Sequence, residues 1–281
     1  MLLRNKVYLI VICCLSLSAP AHAWNAIGHR LIAQIAYENM TNHAKLVFNH
    51  YNHAVDQGRH PQSLVSSAVW LDRLYSHDLA SIKSIHYIDI PFSSDGSKLP
   101  EPQAMNAVWA ITMATNRLLT VDASDLEKGI ALRILLHVVG DIHQPLHAIT
   151  QYSQRLPTGD KGGNLVRLYH NTVAPNLHSY WDKGAGAFIS KTYSRPAKIK
   201  RIAARIEKRW PCDEKFADSN PKHWAQESYD LAVNTVYKIP LDQVLDKTYE
   251  YTAKRLSEQR VAMAGCRLAE LLNRIASEIN S

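Results

Sequence analysis

The run Leu135-Leu-His137-Val-Val-Gly-Asp141-Ile-His143-Gln-Pro145-Leu-His147 gathers imidazoles and a carboxylate inside an otherwise apolar stretch. On a helix His137 and Asp141 stand one turn apart and face the same way, as two ligands of one ion would. Pro145 ends or kinks that helix, which frees His147 to turn toward a different point. His178-Ser-Tyr-Trp-Asp182 repeats the imidazole–carboxylate spacing. One such pair is weak evidence, because a lone His on an apolar helix is more often a hydrogen-bonded core residue. Two pairs, with His147 beside the first, point to a metal centre. Nitrogen and oxygen donors without a thiolate suit zinc. The chain carries 14 His among 281 residues, so such donors are plentiful.

Positioning these groups falls to helices. Apolar residues recur at helical spacing over 27–38, 42–53, 61–74, 101–119 and 126–143, and again over 175–181, 195–208, 220–237 and 241–279. Asn, Asp, Ser or Pro stands near most of the starts. Strand signals are scarce. The best is the alternating segment 164–170, entered through Gly162-Gly163, which predicts a small β-hairpin over 162–170. Gly159, Asp160, Gly162 and Gly163 mark the loop before it. With no repeat or low-complexity linker, the expectation is an all-α fold, a single mainly helical domain. A composition of 46% hydrophobic and 20% charged residues excludes a disordered chain, a disulfide miniprotein and a fibrous repeat. The basic balance, 32 Lys+Arg against 25 Asp+Glu, suits acidic partners such as nucleic acid or anionic lipid. Solvated cations on helical surfaces are the commoner cause of such a balance.

Residues 1–23 read as a secretory signal: Arg4 and Lys6, an apolar run over 7–17, then Ala21-His22-Ala23 before a cleavage site. No later stretch approaches the ~20 apolar residues of a membrane span. The expected mature chain is therefore 24–281, exported to a periplasm or the medium, without a membrane anchor, and begins at Trp24. Cys13 and Cys14 leave with the signal, so Cys212 and Cys266 remain, and in an exported protein they favour one disulfide over two buried thiols. Asn39-Met-Thr41 is a formal glycosylation sequon, meaningful only in a host that glycosylates exported proteins.

Trp24-Asn-Ala-Ile-Gly-His29, Trp70-Leu-Asp72, His86-Tyr-Ile-Asp89, the block from His137 to His147, Gly162-Gly-Asn164 and Asn176-Leu-His178-Ser-Tyr-Trp-Asp182 occur in that order. The ordered set resembles the trinuclear-zinc, single-strand-specific nucleases of mung bean nuclease type, also called the S-one/P-one nucleases, over most of 24–182. That resemblance implies a mainly helical domain of the phospholipase C/nuclease type with three zinc ions at the bottom of a cleft. Asp72, His86, His137 and Asp141 would hold one ion. His29, a bridging Asp141 and the α-amino nitrogen and carbonyl oxygen of Trp24 would hold a second, and His147, His178 and Asp182 the third. A free α-amine titrates near 7.7–8.0 and can ligate as the neutral amine near neutral pH, so signal cleavage would create a ligand.

The activity implied is a zinc-dependent endonuclease that cleaves single-stranded DNA or RNA to 5′-phosphate products, with 3′-nucleotidase activity; separately, no obligate protein partner is evident in the sequence, and a monomer is expected. Asp72 and Asp141 would be catalytic through the metals, and Asn164 would lie near the scissile phosphate. Tyr87 would stack on a base, and Asp89 would hydrogen-bond its edge. One departure is Tyr75, three residues after Asp72, where the family often carries Arg or Lys; Arg73 points elsewhere on a helix. His143 is expected to stand behind the metal ligands or at the helix end rather than bind metal, and His43, His50, His53, His60, His77, His170 and His223 to be surface or structural. Two other readings are a zinc phospholipase C, which the same fold hosts, and an exported zinc-binding protein without turnover. The spacing from Trp24 to His29, and Asp182 where the lipases carry Glu, favour the nuclease.

Overall fold

A computed structural model describes residues 24–58, 60–75, 80–189, 195–213, 216–240 and 242–279. The expected signal, His77 and the Tyr75 side chain lie outside what it describes. Its helices are α1 (Ala26–Asn39), α2 (Asn42–Asp56), α3 (Leu64–Ser67), α4 (Trp70–Tyr75), α5 (Ala80–Lys83), α6 (Ala107–Leu119), α7 (Asp125–Ile142), α8 (Leu177–Asp182), α9 (Pro196–Arg209), α10 (Pro221–Leu231) and α11 (Lys247–Ile279). The strands are β1 (Ile90–Ser93) and β2 (Ile149–Tyr152). The mainly helical domain read from periodicity is what the chain forms. No described helix is long and apolar enough to cross a membrane.

α7 runs through the middle of the domain. It starts in a capping box: Ser124 accepts from the Glu127 amide, and the Glu127 carboxylate accepts from the Ser124 amide at 2.9 Å. From Ala131 to Ile142 it is buried almost all round, packed by α1, α2, α6 and α11. Its apolar side chains join those of α1, α2, α6, α9 and α11 in the main core, where Leu31, Ile35, Phe48, Leu132, Leu135, Val139, Val261 and Leu272 are fully buried. A smaller core gathers Leu146, Ile149, Leu177, Tyr180, Trp181 and Val236 beneath α8. Cys212 and Cys266 form the expected disulfide, Cα–Cα 5.3 Å, which ties the segment after α9 to α11.

Three sequence expectations shift. The 162–170 hairpin does not form: the two strands, β1 and β2, lie elsewhere and pair in parallel, Ile90 opposite Ile149 and Ser93 opposite Tyr152. Residues 164–170 instead form a loop pinned to the start of α8 through an isolated Arg167–Asn176 bridge. Left-handed backbone at Gly162, Gly163 and His170 breaks the extended run at both ends. The periodic stretch 61–74 is two short helices separated at Ala68-Val69. Finally, the helices expected from 101 and 241 begin only at Ala107, capped by the Asn106 side chain, and at Lys247.

Candidate metal centre

Six elements deliver the predicted donors to one place. α7 presents His137 and Asp141 on one face, and its close neighbour α1 presents His29. A Cβ added to Gly140 would lie 3.0 Å from His29 Nδ1 and 3.1 Å from Ile32 Cδ1, so any larger residue here would press on the His29 ring. α4 brings Asp72, and a 3-10 turn at Ser84–His86 brings His86. After α7 the chain leaves the helix at Gln144, and a second 3-10 turn opening on Pro145 turns His147 inward. α8 is one and a half turns long, capped by the Asn176 side chain, and carries His178 and Asp182.

The two oxygens of Asp141 face different donors. Oδ1 lies 3.3 Å from His29 Nε2, whereas Oδ2 lies 3.0 Å from His86 Nδ1 and 3.4 Å from His137 Nε2. His137 Nε2 is also 3.4 Å from Asp72 Oδ1. The His29 and His137 rings stack at 3.9 Å. On the other side, the His147 and His178 rings are 4.9 Å apart, and His178 Nε2 is 3.6 Å from Asp182 Oδ2. Three groups of converging ligand atoms result: His29, Asp72 and His137; His86, His137 and Asp141; His147, His178 and Asp182. The third is the predicted third set. The first two share His137 and differ from the predicted division, which pairs His29 with Asp141, although Asp141 Oδ1 does face His29.

The chemistry of these atoms fits cations. Buried polar atoms are normally hydrogen-bonded. Yet both ring nitrogens of His29, Asp141 Oδ1, and Nε2 of His147 and His178 are buried without a hydrogen-bond partner among the described residues. His137, His147 and His178 place Nδ1 against the carbonyls of Ala68, His86 and Gly162 at 2.7, 2.8 and 2.7 Å. A carbonyl can only accept, so Nδ1 carries a proton and Nε2 is the nitrogen turned to the cluster, the arrangement that orients metal-binding imidazoles. The break between α3 and α4 supplies the first of these: the Ala68 carbonyl is turned to His137.

Electrostatics agree. Burial, and then the neighbouring His147, push His178 down to about 3; burial also lowers His147 and His29, so these rings stay neutral. Burial pushes Asp182 well above the usual carboxylate range, and Asp141 and Asp72 push the same way. Against burial, Asp141 and Asp72 raise His137 to about 9, and His137, His29 and His86 pull Asp141 down. A protonated His137 offsets only one of the three inward carboxylates, and divalent ions would displace that proton and neutralise the rest.

Trp24 is fully buried, its ring edge-on to Phe188 at 5.8 Å. Asn25 fixes the chain here: its amide donates to the Asp182 carbonyl at 2.9 Å, its side-chain oxygen caps α1, and its Nδ2 donates to the Phe188 carbonyl at 2.8 Å. Residue 24 thus adjoins the centre. Tyr87 and Asp89 flank His86 in a segment held by the Ile88 amide donating to the His147 carbonyl at 2.8 Å. Asp89 accepts from the Thr150 hydroxyl at 2.6 Å, and burial raises its carboxyl. Asn164 is half-buried, with its side-chain amide donating to the Lys161 carbonyl at 2.9 Å rather than contacting a donor residue. Arg73 lines a cavity with Trp70, His60 and Arg133 that none of the donor residues lines.

Two residues escaped the sequence reading. Gln144 donates to Asp182 Oδ1 at 2.6 Å and accepts from the Leu146 amide at 2.7 Å. Its position directly before Pro145, between two donors, is the signal that could have found it. Asp160, noted as a loop marker, is fully buried and accepts from Tyr237 at 2.7 Å and the Gln151 amide at 3.0 Å, anchoring the loop whose Gly162 orients His178. His143 has the supporting role expected, with Nδ1 on the Val139 carbonyl and Nε2 facing Arg267 at 3.0 Å.

A family model described as S1/P1 Nuclease matches residues 24–277. Endonuclease 2 of Arabidopsis thaliana is 29% identical, covering 96% of this chain and 97% of its own. Nuclease S1 of Aspergillus oryzae is 29% identical over 94% of this chain and 96% of its own. Endonuclease 5 of Arabidopsis thaliana is 36% identical over 60% of this chain and 62% of its own.

Proposed function

The chain belongs to the S1/P1 nuclease family, and on that premise we propose that it is an exported three-zinc phosphodiesterase that cleaves single-stranded DNA and RNA to 5′-phosphate products and also removes 3′-phosphates from nucleotides. The observation that carries the metal reading is the set of buried, unpartnered Nε2 and Oδ1 atoms converging from separate elements, with the opposite nitrogens of three imidazoles committed to carbonyls.

Asp72, His86, His137 and Asp141 would hold one ion. His29 and Asp141, with the carbonyl of Trp24 and its α-amine freed by cleavage after Ala23, would hold the second, and His147, His178 and Asp182 the third. When bound, zinc supplies activated water near neutral pH and neutralises charge on phosphoryl oxygens. The protein's part is to hold those ions apart and the strand in line. Asp141 would bridge two sites with its two oxygens, and Asp182 would be held by Gln144. Tyr87 would stack on an unpaired base, worth ~1–3 kcal/mol and tolerant of sequence. Asp89, with Oδ1 engaged by Thr150, would accept from the base edge through its other oxygen. Asn164 would donate to the phosphate beside the cleaved bond. A base stacked within a duplex has no free face for Tyr87, so such stacking would give a preference for single strands.

The test is elemental analysis with turnover of single-stranded DNA, RNA, a 3′-nucleotide and phosphatidylcholine. Three zinc ions per chain and chelator-sensitive cleavage of the nucleic acids are expected. Lipid turnover without nucleic-acid cleavage, or zinc without phosphoesterase activity, would overturn the reading.

A further inference from the structure

Helix α9 carries Lys198, Lys200, Arg201, Arg205, Lys208 and Arg209 against one acid, Glu207. Its surplus of five equals the whole net charge of residues 24–281, because Arg4 and Lys6 account for the other two of the chain's +7. The basic balance is therefore concentrated on one element instead of being spread over the surface. Ile199, Ile202, Ala203 and Ile206 bury one face of this helix against the core. Arg201, Arg205 and Lys208, at i, i+4 and i+7, form an exposed stripe on the other, with Arg209 beside it.

The stripe continues onto α11. Glu258 accepts from Arg205 at 3.4 Å and Arg209 at 3.3 Å, and one turn before it Lys254 and Arg255 are exposed. Arg201, Lys208 and Lys254 make no ion pair among the described residues, so positive charge remains in excess. Between the two helices, Trp210 has the Arg209 and Arg255 guanidiniums over its ring at 5.9 and 5.4 Å. Like charges at this density repel, and Glu258 and Glu38 offset only part of that repulsion. Trp210 holds two of the guanidiniums in place beforehand, which reduces the ordering cost of binding an anion.

The face lies beyond the metal centre. Lys200 pairs with Glu38 at 3.2 Å and Glu207 accepts from Asn39 at 2.6 Å, both at the C-terminal end of α1, whereas His29 sits near its start. Nine residues of helix separate them, about 14 Å along the axis. We propose that this surface docks the phosphodiester backbone of single-stranded nucleic acid outside the cleavage site, adding affinity for long strands and none for short ones. The inference rests on the nuclease reading above and assigns its polymer substrate a second contact surface.

The experiment compares wild type with Arg201→Gln/Lys208→Gln/Lys254→Gln on a 40-nucleotide DNA strand and on a dinucleotide, over a fourfold range of salt. Each phosphate contact on a single strand contributes about 0.7 to the salt slope, so losing three flattens it by about 2, and the wild-type advantage on the long strand shrinks roughly 15- to 20-fold across that range. Dinucleotide cleavage should be unchanged, and the charge-preserving Arg201→Lys/Lys208→Arg/Lys254→Arg should retain the wild-type slope. An unchanged slope, or an equal loss on both substrates, overturns the docking surface. So does a variant that loses binding to phosphatidylglycerol vesicles while keeping the DNA slope, which would assign the face to a membrane. Wild type failing to cleave either substrate would instead refute the nuclease reading.

Discussion

Replacing Gln144 with leucine tests how the centre is held. Gln144 is fully buried; its amide donates to Asp182 Oδ1 at 2.6 Å, and its oxygen accepts from the Leu146 amide at 2.7 Å. A hydrogen bond to an ionised acceptor contributes about 1.5–3 kcal/mol, and stranding a buried amide costs about 1–3 kcal/mol. Gln144→Leu should therefore destabilise the protein by roughly 3–5 kcal/mol in urea denaturation, and an outer partner of this kind changes metal affinity by about 10- to 100-fold. Competition with a chromophoric chelator should show one ion weakened, that of His147, His178 and Asp182, because the side chain bonds to no other donor. Gln144→Glu keeps an acceptor for Leu146 but removes the donor to Asp182, so it should recover part of the stability and none of the zinc affinity. Wild-type affinity for all three ions in Gln144→Leu would refute the argument, whatever happened to stability.

Asp141→Ala should strip more zinc than Asp72→Ala, since the two Asp141 oxygens face donors on opposite sides; equal residual zinc in the two proteins would count against the bridge. A chain carrying one extra residue before Trp24 should lose most of its activity at unchanged fold, measured by turnover and circular dichroism together, and an equally active extended chain would remove the terminal amine from the ligand set. Arg133→Met should cost about 3 kcal/mol in chemical denaturation, because Arg133 is buried and pairs with Asp56 at 2.6 Å, leaving that carboxylate with only its Gln62 hydrogen bonds; zinc content should not change.

The convergence of the candidate donors was legible because its geometry is local: His137 with Asp141 and His178 with Asp182 need only a helical turn, and order along the chain tied the rest to a family. What escaped depends on contacts distant in sequence. β1 and β2 are four residues each, β1 contains Pro91, and their pairing joins segments about sixty residues apart, so no periodicity announces it. The alternation over 164–170 is genuine, but the left-handed His170 turns it into a loop. The apolar spacing over 61–74 runs straight through Ala68, whose carbonyl is taken by a histidine sixty-nine residues away. Gln144 looks like a loop residue until Asp182 is seen beside it.

The placement of the disulfide decides how the molecule fails. The proposed side-chain donors lie between His29 and Asp182, and Cys212–Cys266 closes a later stretch of the chain, so two kinds of cross-link cover consecutive regions without overlapping. On the proposed metal reading, a chelator would open the first and leave the second closed, and a reductant would do the reverse. With zinc bound, each agent alone leaves one set of staples in place, and the chain gives up all its cross-links only when both are applied.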